Sequence, residues 1–74
     1  AAKDFKTILQ QVVQQAGGEI LEYFVVDERG PDHDKRFTVE ARLNSNVIGR
    51  GDGRSKRAAE QMAAKQALEL FGEE

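Results

Sequence analysis

The chain has 74 residues, of which 32% are charged, with a formal net charge of −2, no cysteine and one histidine. A chain of this length supports one domain with a thin core, because a fold of about 60 residues buries only about 60% of the surface that its unfolded form exposes. The lack of cysteine excludes disulfides and thiolate metal sites, and a zinc site is not expected with a single histidine. No apolar run reaches the roughly 20 residues of a membrane helix and no signal peptide is recognisable, so we expect an intracellular, cytoplasmic protein without membrane contact.

The first predicted element is an amphipathic helix, with Asp4 as its cap and Gly17 and Gly18 as its stop. Its apolar stripe consists of Phe5, Ile8, Leu9, Val12, Val13 and Ala16. The opposite side carries a neutral stripe at the spacing i, i+3, i+4, i+7, made of Thr7, Gln10, Gln11 and Gln14. Hydroxyl and carboxamide groups suit a partner with mixed hydrogen-bond donors and acceptors, although glutamine is also a good exposed helix former.

Three strands are predicted next. Residues 23–27 are rich in aromatic and β-branched side chains and predict the first strand, and residues 30–34 predict a turn-rich loop. The second strand alternates apolar with polar residues, which predicts one buried face and one solvent-exposed face. Its apolar positions are Phe37, Val39, Ala41 and Leu43, and its polar positions are Thr38, Glu40, Arg42 and Asn44. Residues 44–46 supply a turn, and residues 47–51 return as the third strand of a hairpin.

A second helix is predicted after Ser55, which is a suitable cap. Gly49 and Gly51 lie on the same side of the third strand, so their bare backbone lets an alanine-lined helix sit close to the sheet. The apolar arc of that helix is Ala59, Ala63, Ala64, Ala67, Leu68 and Phe71. The order of elements predicts an α+β fold: a two-layer α-β-β-β-α domain over residues 1–74, with both helices on one face of a three-stranded antiparallel sheet.

The strongest functional signal is residues 49–57, a glycine-rich strand end that runs into a capped helix start. This run contains four cations and one acidic residue, namely Arg50, Arg54, Lys56 and Arg57 against Asp52. Cations at a helix N-terminus are disfavoured by about 0.3–1 kcal/mol each, so folding alone does not account for them. Phosphate groups do, because the free N–H groups, the helix dipole and the side chains all attract an anion.

Two alternatives remain for the same run. One is a solvated basic turn without a ligand, which the net charge of −2 favours weakly because it disfavours a polyanion partner. The other is a nucleotide-binding loop, but the G-x-G-x-G spacing and the preceding hairpin do not fit the known nucleotide-binding patterns.

A lone histidine, His33, lies between Asp32 and Asp34 in the predicted loop. A general base or a metal ligand at this position is the basis of an alternative enzyme hypothesis, but no partner set supports either role. A loop histidine is most often only exposed to solvent. The loop by itself therefore does not predict a function.

Taken in order, these features resemble the double-stranded-RNA-binding domain, and within that family the C-terminal domain of bacterial ribonuclease III. The resemblance covers nearly the whole chain and is carried by Asp4-Phe5-Lys6-Thr7, Leu9-Gln10, Tyr23, Val25-Val26, Gly30-Pro31-Asp32-His33, Phe37-Thr38-Val39-Glu40, residues 49–57 and Ala59-Glu60-Gln61. It implies a domain that lies along A-form RNA over about 16 base pairs and reads shape and 2′-hydroxyls more than sequence. The chain departs from many members at Gln11, where they have an acidic residue, and at Glu60, where they have a lysine, although members of the ribonuclease III branch often have glutamate there.

The resemblance also implies where RNA binds. One minor groove would receive Thr7, Gln10, Gln11 and Gln14, and the next would receive Pro31, Asp32 and His33. The phosphates between the two grooves would contact Arg54, Ser55, Lys56 and Arg57. We expect no catalytic residue, cofactor, metal or small-molecule substrate in this chain, with magnesium only in an absent catalytic domain. We expect a monomeric domain and consider a homodimer for the parent protein; the alternative is a protein-interaction or dimerisation module of the same fold.

Overall fold

The computed structural model describes residues 3–72 as a helix, three strands and a helix. The strands form one antiparallel sheet in the order β1-β2-β3, with a short 3-10 turn, Asp32–Asp34, between the first two. The elements are α1 (Phe5–Gln15), β1 (Leu21–Arg29), β2 (Arg36–Leu43), β3 (Asn46–Gly53) and α2 (Lys56–Leu70). The predicted α+β fold class and the α-β-β-β-α order are confirmed.

Helix α1 begins and ends at the predicted signals. The Asp4 carboxylate accepts a hydrogen bond from the Thr7 backbone N–H at 3.2 Å, and the chain leaves the helix into Gly17 and Gly18, whose φ angles are +133° and +71°. Ala16, which was predicted to belong to the apolar stripe, is exposed instead. The reason is that Ala16 is the C-cap residue, where the chain turns away from the core.

The β2–β3 hairpin turns on Asn44 and Ser45, whose φ angles are +50° and +74°. Two consecutive residues with positive φ are typical of a type I′ turn, whose twist matches that of the paired strands. Asn46, predicted as part of the turn, already belongs to β3 and pairs with Leu43. Strands β1 and β3 are longer than predicted, because pairing with β2 continues through polar and glycine residues that have no strand signal of their own.

Helix α2 lies directly on β3 because this strand presents bare backbone to it. A Cβ atom at Gly49 or Gly51 would collide with the backbone of Ala63, and one at Gly53 would lie 2.5 Å from the backbone nitrogen of Ala59. Only glycine fits at these three positions without moving the helix. The predicted close approach at Gly49 and Gly51 is confirmed, and Gly53 extends it by one position.

The core lies between the two helices and the inner face of the sheet. One cluster of fully buried side chains joins α1 to α2 and consists of Leu9, Val13, Ala64, Ala67 and Leu68. A second cluster joins α2 to the sheet and consists of Val39, Ala41, Ala59 and Ala63. Phe71, which was predicted to complete the apolar arc of α2, is 37% exposed, because it is the C-cap residue beyond the last helical turn.

Charged side chains cover the outer face of the sheet. Thr38, predicted on the solvent-exposed face, is only 8% exposed. Arg29 Nη1 donates a hydrogen bond to Thr38 Oγ1 at 3.0 Å, and the Thr38 hydroxyl donates to Asp52 Oδ1 at 2.6 Å. The prediction of solvent exposure is therefore wrong at this position, because the Arg29 and Asp52 side chains of the two neighbouring strands cover Thr38.

Candidate nucleic-acid interface

The start of α2 is a surface of three exposed cations, and within residues 3–72 an acidic side chain lies within ion-pair distance of one of them, Arg54. Ser55 caps the helix, with its hydroxyl oxygen accepting a hydrogen bond from the Ala58 N–H at 3.0 Å. Arg54, Lys56 and Arg57 are exposed there; we call them the helix-start cations. Within residues 3–72 neither Lys56 nor Arg57 forms an ion pair. Because a helix N-terminus already carries partial positive charge, this surface is suited to an anion.

Arg50 belongs to a different surface, although it was counted in the basic run. Gly49 and Gly51 face α2, so Arg50 between them points to the outer face of the sheet. Its Nε lies 3.7 Å from Glu40 Oε2, and the other oxygen of Glu40 lies 2.9 Å from Arg42 Nη2. Because successive side chains of a strand point to opposite faces, Arg50 lies on the face of the sheet opposite to α2 and does not belong to the helix-start cations.

The loop between β1 and β2 lies beside the helix start and forms an open cleft with it. Gly30 enters this loop with a φ of +93°, and a Cβ atom there would lie 2.5 Å from the carbonyl oxygen of Asp34, so the turn requires glycine. Across the cleft, Arg54 Nη1 lies 3.9 Å from Asp34 Oδ1. The cleft is lined by Asp32, His33, Asp34, Lys35, Phe37, Arg54, Ser55 and Lys56. Two of the three predicted regions are therefore one continuous surface.

Lys35 is a cation of this cleft that was not among the predicted site residues. Its Nζ lies 2.7 Å from Glu28 Oε2 and 4.0 Å from Asp32 Oδ1. The hydrogen bond from Lys35 and its positive charge lower the pKa of Glu28. Desolvation opposes this shift in part, and the charge of Lys56 adds a smaller lowering effect. A cation two residues after His33 was a visible sequence signal, but its position beside the helix start depends on the fold.

The neutral stripe of α1 is fully accessible. Its four residues are all exposed, and Leu9 and Val13 on the opposite side of the helix are buried: the stripe is Thr7, Gln10, Gln11 and Gln14. A second cleft connects the start of α1 with the start of α2 and is lined by Lys3, Asp4, Arg57 and Gln61. Pro31, Asp32 and His33 are likewise exposed. RNA contact by each of these residues stays a prediction.

Polar side chains of α2 hold the first turn of α1. Gln61 Oε1 accepts a hydrogen bond from the Phe5 backbone N–H at 2.8 Å, and Gln61 Nε2 donates to Asp4 Oδ1 at 2.9 Å. This bond from Gln61 is the main cause that lowers the pKa of Asp4, followed by hydrogen bonds from Thr7, with a smaller contribution from the charge of Arg57. Gln61 was part of the resemblance but not of the predicted site, because an isolated glutamine gives no sign of what it will contact.

Glu60 is directed towards α1 and is paired within the fold. Its Oε1 lies 2.6 Å from Lys6 Nζ, and the two side chains are 25% and 32% exposed. Lys6 Nζ also lies 4.9 Å from the centre of the Tyr23 ring, within the range of a cation–π interaction. The Glu60 carboxylate is therefore paired with a cation of α1 and not with a helix-start cation.

Comparison with known proteins decides the family. Residues 5–70 match the family described as the double-stranded RNA binding motif. The chain belongs to this family. Ribonuclease 3 of Pelotomaculum thermopropionicum is 52% identical over 66 residues, which are 89% of this chain and 27% of that protein. Ribonuclease 3 of Shouchella clausii is 52% identical over 65 residues, which are 88% of this chain and 25% of that protein. The motif thus spans about a quarter of the length of the curated relatives it matches.

Solved structures share the fold of this double-stranded RNA binding motif. Dicer from Pichia stipitis has a TM-score of 0.73 at 33% identity, with 89% of this chain and 32% of that chain covered. The C-terminal dsRBD of the fission yeast Dicer has a TM-score of 0.66 at 17% identity, with 97% and 82% covered, a likeness that shows the fold alone. The predicted resemblance to the double-stranded-RNA-binding domain is confirmed.

Two further findings concern the part of the motif that the structure describes. Among residues 3–72, no group of three or more histidine and acidic side chains is arranged to hold a metal ion. Over the same range, neither helix is long and apolar enough to cross a membrane.

Tyr23 reports the packing of α1 against the sheet through its titration. Burial raises its pKa to about 12, and the negative charges of Glu60 and Asp4 add to the shift. Because the folded-state pKa lies above the ordinary value of 10.0, this group stabilises the fold fully below pH 10 and loses that contribution as the pH rises towards 12. The chain has one tyrosine and no tryptophan. We therefore expect tyrosinate absorbance to appear near pH 12 in the folded motif and near pH 10 in urea; equal titration in both conditions would contradict the burial.

Proposed function

We propose that this double-stranded RNA binding motif binds duplex RNA through three regions and tolerates most base sequences. The observation that carries the proposal is the start of α2, where Arg54, Lys56 and Arg57 are exposed at the positive end of the helix dipole. The loop of residues 30–35 between β1 and β2, which we call the His33 loop, lies beside them. Phosphate groups are the ligands that such a surface favours. Phosphates carry no base identity, so contact through this region is expected to position the protein without reading sequence.

Discrimination of RNA from DNA is assigned to the other two regions. The α1 stripe and the His33 loop offer hydroxyl, carboxamide, imidazole and carboxylate groups, which exchange hydrogen bonds with a 2′-hydroxyl as donor or acceptor. The molecule measures 41 × 31 × 15 Å, an elongated and thin shape that can follow one side of a duplex. We therefore assign one minor groove to the stripe, the next to Pro31, Asp32 and His33, and the phosphates between them to the helix start.

We further propose that the motif holds the substrate of a larger endonuclease of the ribonuclease III type. Its relatives are named Ribonuclease 3, and it spans about a quarter of their length. Two-metal hydrolysis of a phosphodiester requires clustered carboxylates, and residues 3–72 contain no such cluster. Magnesium and cleavage are accordingly assigned to the remainder of the parent protein. A monomeric motif, a parent homodimer and a cytoplasmic location stay predictions.

Titration of the 74-residue chain with duplex RNA, duplex DNA and single-stranded RNA of matched length tests this function. At fixed salt we expect duplex RNA to bind more tightly than the other two by about tenfold or more, the effect of one or two net hydrogen bonds. Fluorescence anisotropy measures the three affinities, and the same mixtures with magnesium are expected to leave the RNA intact. Equal affinity for all three ligands would overturn recognition by 2′-hydroxyls, and magnesium-dependent cleavage would overturn the assignment of catalysis to another domain.

A further inference from the structure

One side chain of α2, Gln61, fastens the start of α1 through both ends of its carboxamide. We infer that Gln61 is a specificity-determining positioning residue, which sets where the α1 stripe lies relative to the helix-start cations and thereby sets the preference for RNA over DNA. The inference rests on the proposed function and adds to it a residue that lies outside the three RNA-contact regions.

The hydrogen bonds of Gln61 satisfy groups that α1 cannot satisfy itself. Phe5 is the first residue of α1, so its N–H has no partner within the helix. Gln61 Oε1 accepts this N–H at 2.8 Å, while Gln61 Nε2 donates at 2.9 Å to Asp4, the residue that caps the same helix. The two bonds together fix both the cap and the first peptide group of α1 relative to α2.

Apolar contact between the helices does not fix this position as tightly. Leu9 and Val13 of α1 pack with Ala64, Ala67 and Leu68 of α2, and partly buried side chains of α1 and of the sheet border this cluster. These contacts hold α1 on α2, but hydrophobic burial is non-directional and sets no preferred direction for the polar groups of the first helical turn. Hydrogen bonds are lost within a few tenths of an ångström or a few tens of degrees. The polar contacts therefore define the position of the first turn of α1 most sharply, and the Lys6–Glu60 pair adds a second such contact.

The same turn of α2 carries a cation of the phosphate-binding region. Arg57 and Gln61 are four residues apart, hence adjacent on one side of the helix, and both line the cleft that contains Asp4. Gln61 therefore connects the first turn of α1 to the turn of α2 that carries Arg57, which is proposed to contact phosphate. Loss of this connection is expected to displace the α1 stripe from its minor groove and to leave the helix-start cations in place.

The variant Gln61→Met tests this inference, because it keeps the length and charge of the side chain and removes both hydrogen bonds. We expect its preference for duplex RNA over duplex DNA to fall about tenfold, the effect of one or two lost net hydrogen bonds, while the slope of log affinity against log salt is unchanged. A purely structural role would lower the folded fraction and weaken both duplexes alike, without changing their ratio. Gln61→Glu, which keeps the acceptor for Phe5 and replaces the donor to Asp4 with a carboxylate, is expected to lower the ratio as well and serves if Gln61→Met does not fold.

The matched control is Gln66→Met, on the same helix. Gln66 Oε1 accepts a hydrogen bond from the Arg50 backbone N–H at 2.6 Å, so this substitution also breaks a bond to backbone, but towards β3 and away from α1. We expect its RNA-to-DNA ratio to equal that of the wild type. If the wild type prefers RNA and the Gln61 variants keep that preference, or if Gln66→Met loses it equally, the inference is overturned and the proposed function stands. A wild type without preference for RNA would overturn both.

Discussion

Gly51→Ala is expected to lower the free energy of unfolding by about 3 kcal/mol, the upper part of the range for overpacking a core. A Cβ atom at Gly51 would collide with the backbone nitrogen of Ala63 and would lie 2.5 Å from the Met62 carbonyl carbon, so α2 has to move off the sheet. A single core in a domain of this size rarely supplies more than about 3–5 kcal/mol, so this loss leaves a substantial unfolded population. Urea unfolding followed by circular dichroism measures the change.

The control for this substitution is Gly18→Ala. Gly18 has a φ of +71°, and a methyl group added there would have no other part of the fold within 4 Å, so alanine costs about 1–2 kcal/mol through backbone conformation alone. Gly51 does not have a positive φ, so alanine can adopt its backbone conformation. Without the collision, alanine at this position would stabilise the fold by about 0.4–1 kcal/mol, because it restricts the unfolded chain. A loss at Gly51 no larger than that at Gly18 would contradict the close seating of α2 on β3.

The double substitution Lys56→Ala/Arg57→Ala is expected to weaken binding of duplex RNA by about tenfold or more and to reduce the salt slope by about 1 to 2. The reason is that each side chain releases counterions when it contacts a phosphate, and neither has an ion-pair partner within residues 3–72 that would change this count. Because both cations oppose the helix dipole, their removal is not expected to destabilise the fold. Affinities measured by anisotropy at several salt concentrations give both quantities.

The double substitution Arg50→Ala/Lys65→Ala provides a charge-matched control. Both residues are exposed, Arg50 beside Glu40 on the outer face of the sheet and Lys65 near the Phe5 ring, so the net charge changes by the same amount without loss of a helix-start cation. We expect its salt slope to remain close to that of the wild type. A slope that is unchanged in Lys56→Ala/Arg57→Ala, or that falls equally in the control, would favour the alternative of a protein-interaction module.

Local signals in the sequence were sufficient for the elements of this fold. Asp4 and Ser55 cap the two helices as predicted, since a cap depends only on a side-chain oxygen and the three residues that follow it. Gly49 and Gly51 likewise predicted the close approach of α2 to β3, because two positions without side chains on one side of a strand leave room for a neighbouring backbone. The errors at Ala16 and Phe71 lie at helix ends, where periodicity continues past the residue at which the chain turns away.

Contacts between distant residues were not accessible from these signals. Arg50 was grouped with the helix start by sequence proximity, whereas pairing of β2 with β3 sets it beside Glu40 on the opposite face. Lys35 lies in the cleft because the β1–β2 loop folds beside α2. The resemblance supplied the family and RNA as the predicted partner, whereas residue spacing alone had predicted the basic helix start and the neutral stripe of α1.

The sequence by itself determined the order of elements, the caps, the close seating of α2 on β3 and the basic helix start, because each depends on residues that are neighbours along the chain or on one side of one strand. The tertiary structure decided how those parts combine. It joined the His33 loop to the helix start, directed Glu60 to Lys6, and used Gln61 to fasten α1. The physical reason is that a hydrogen bond or ion pair across 54 or 56 residues depends on how two helices pack, and packing is a property of the whole core.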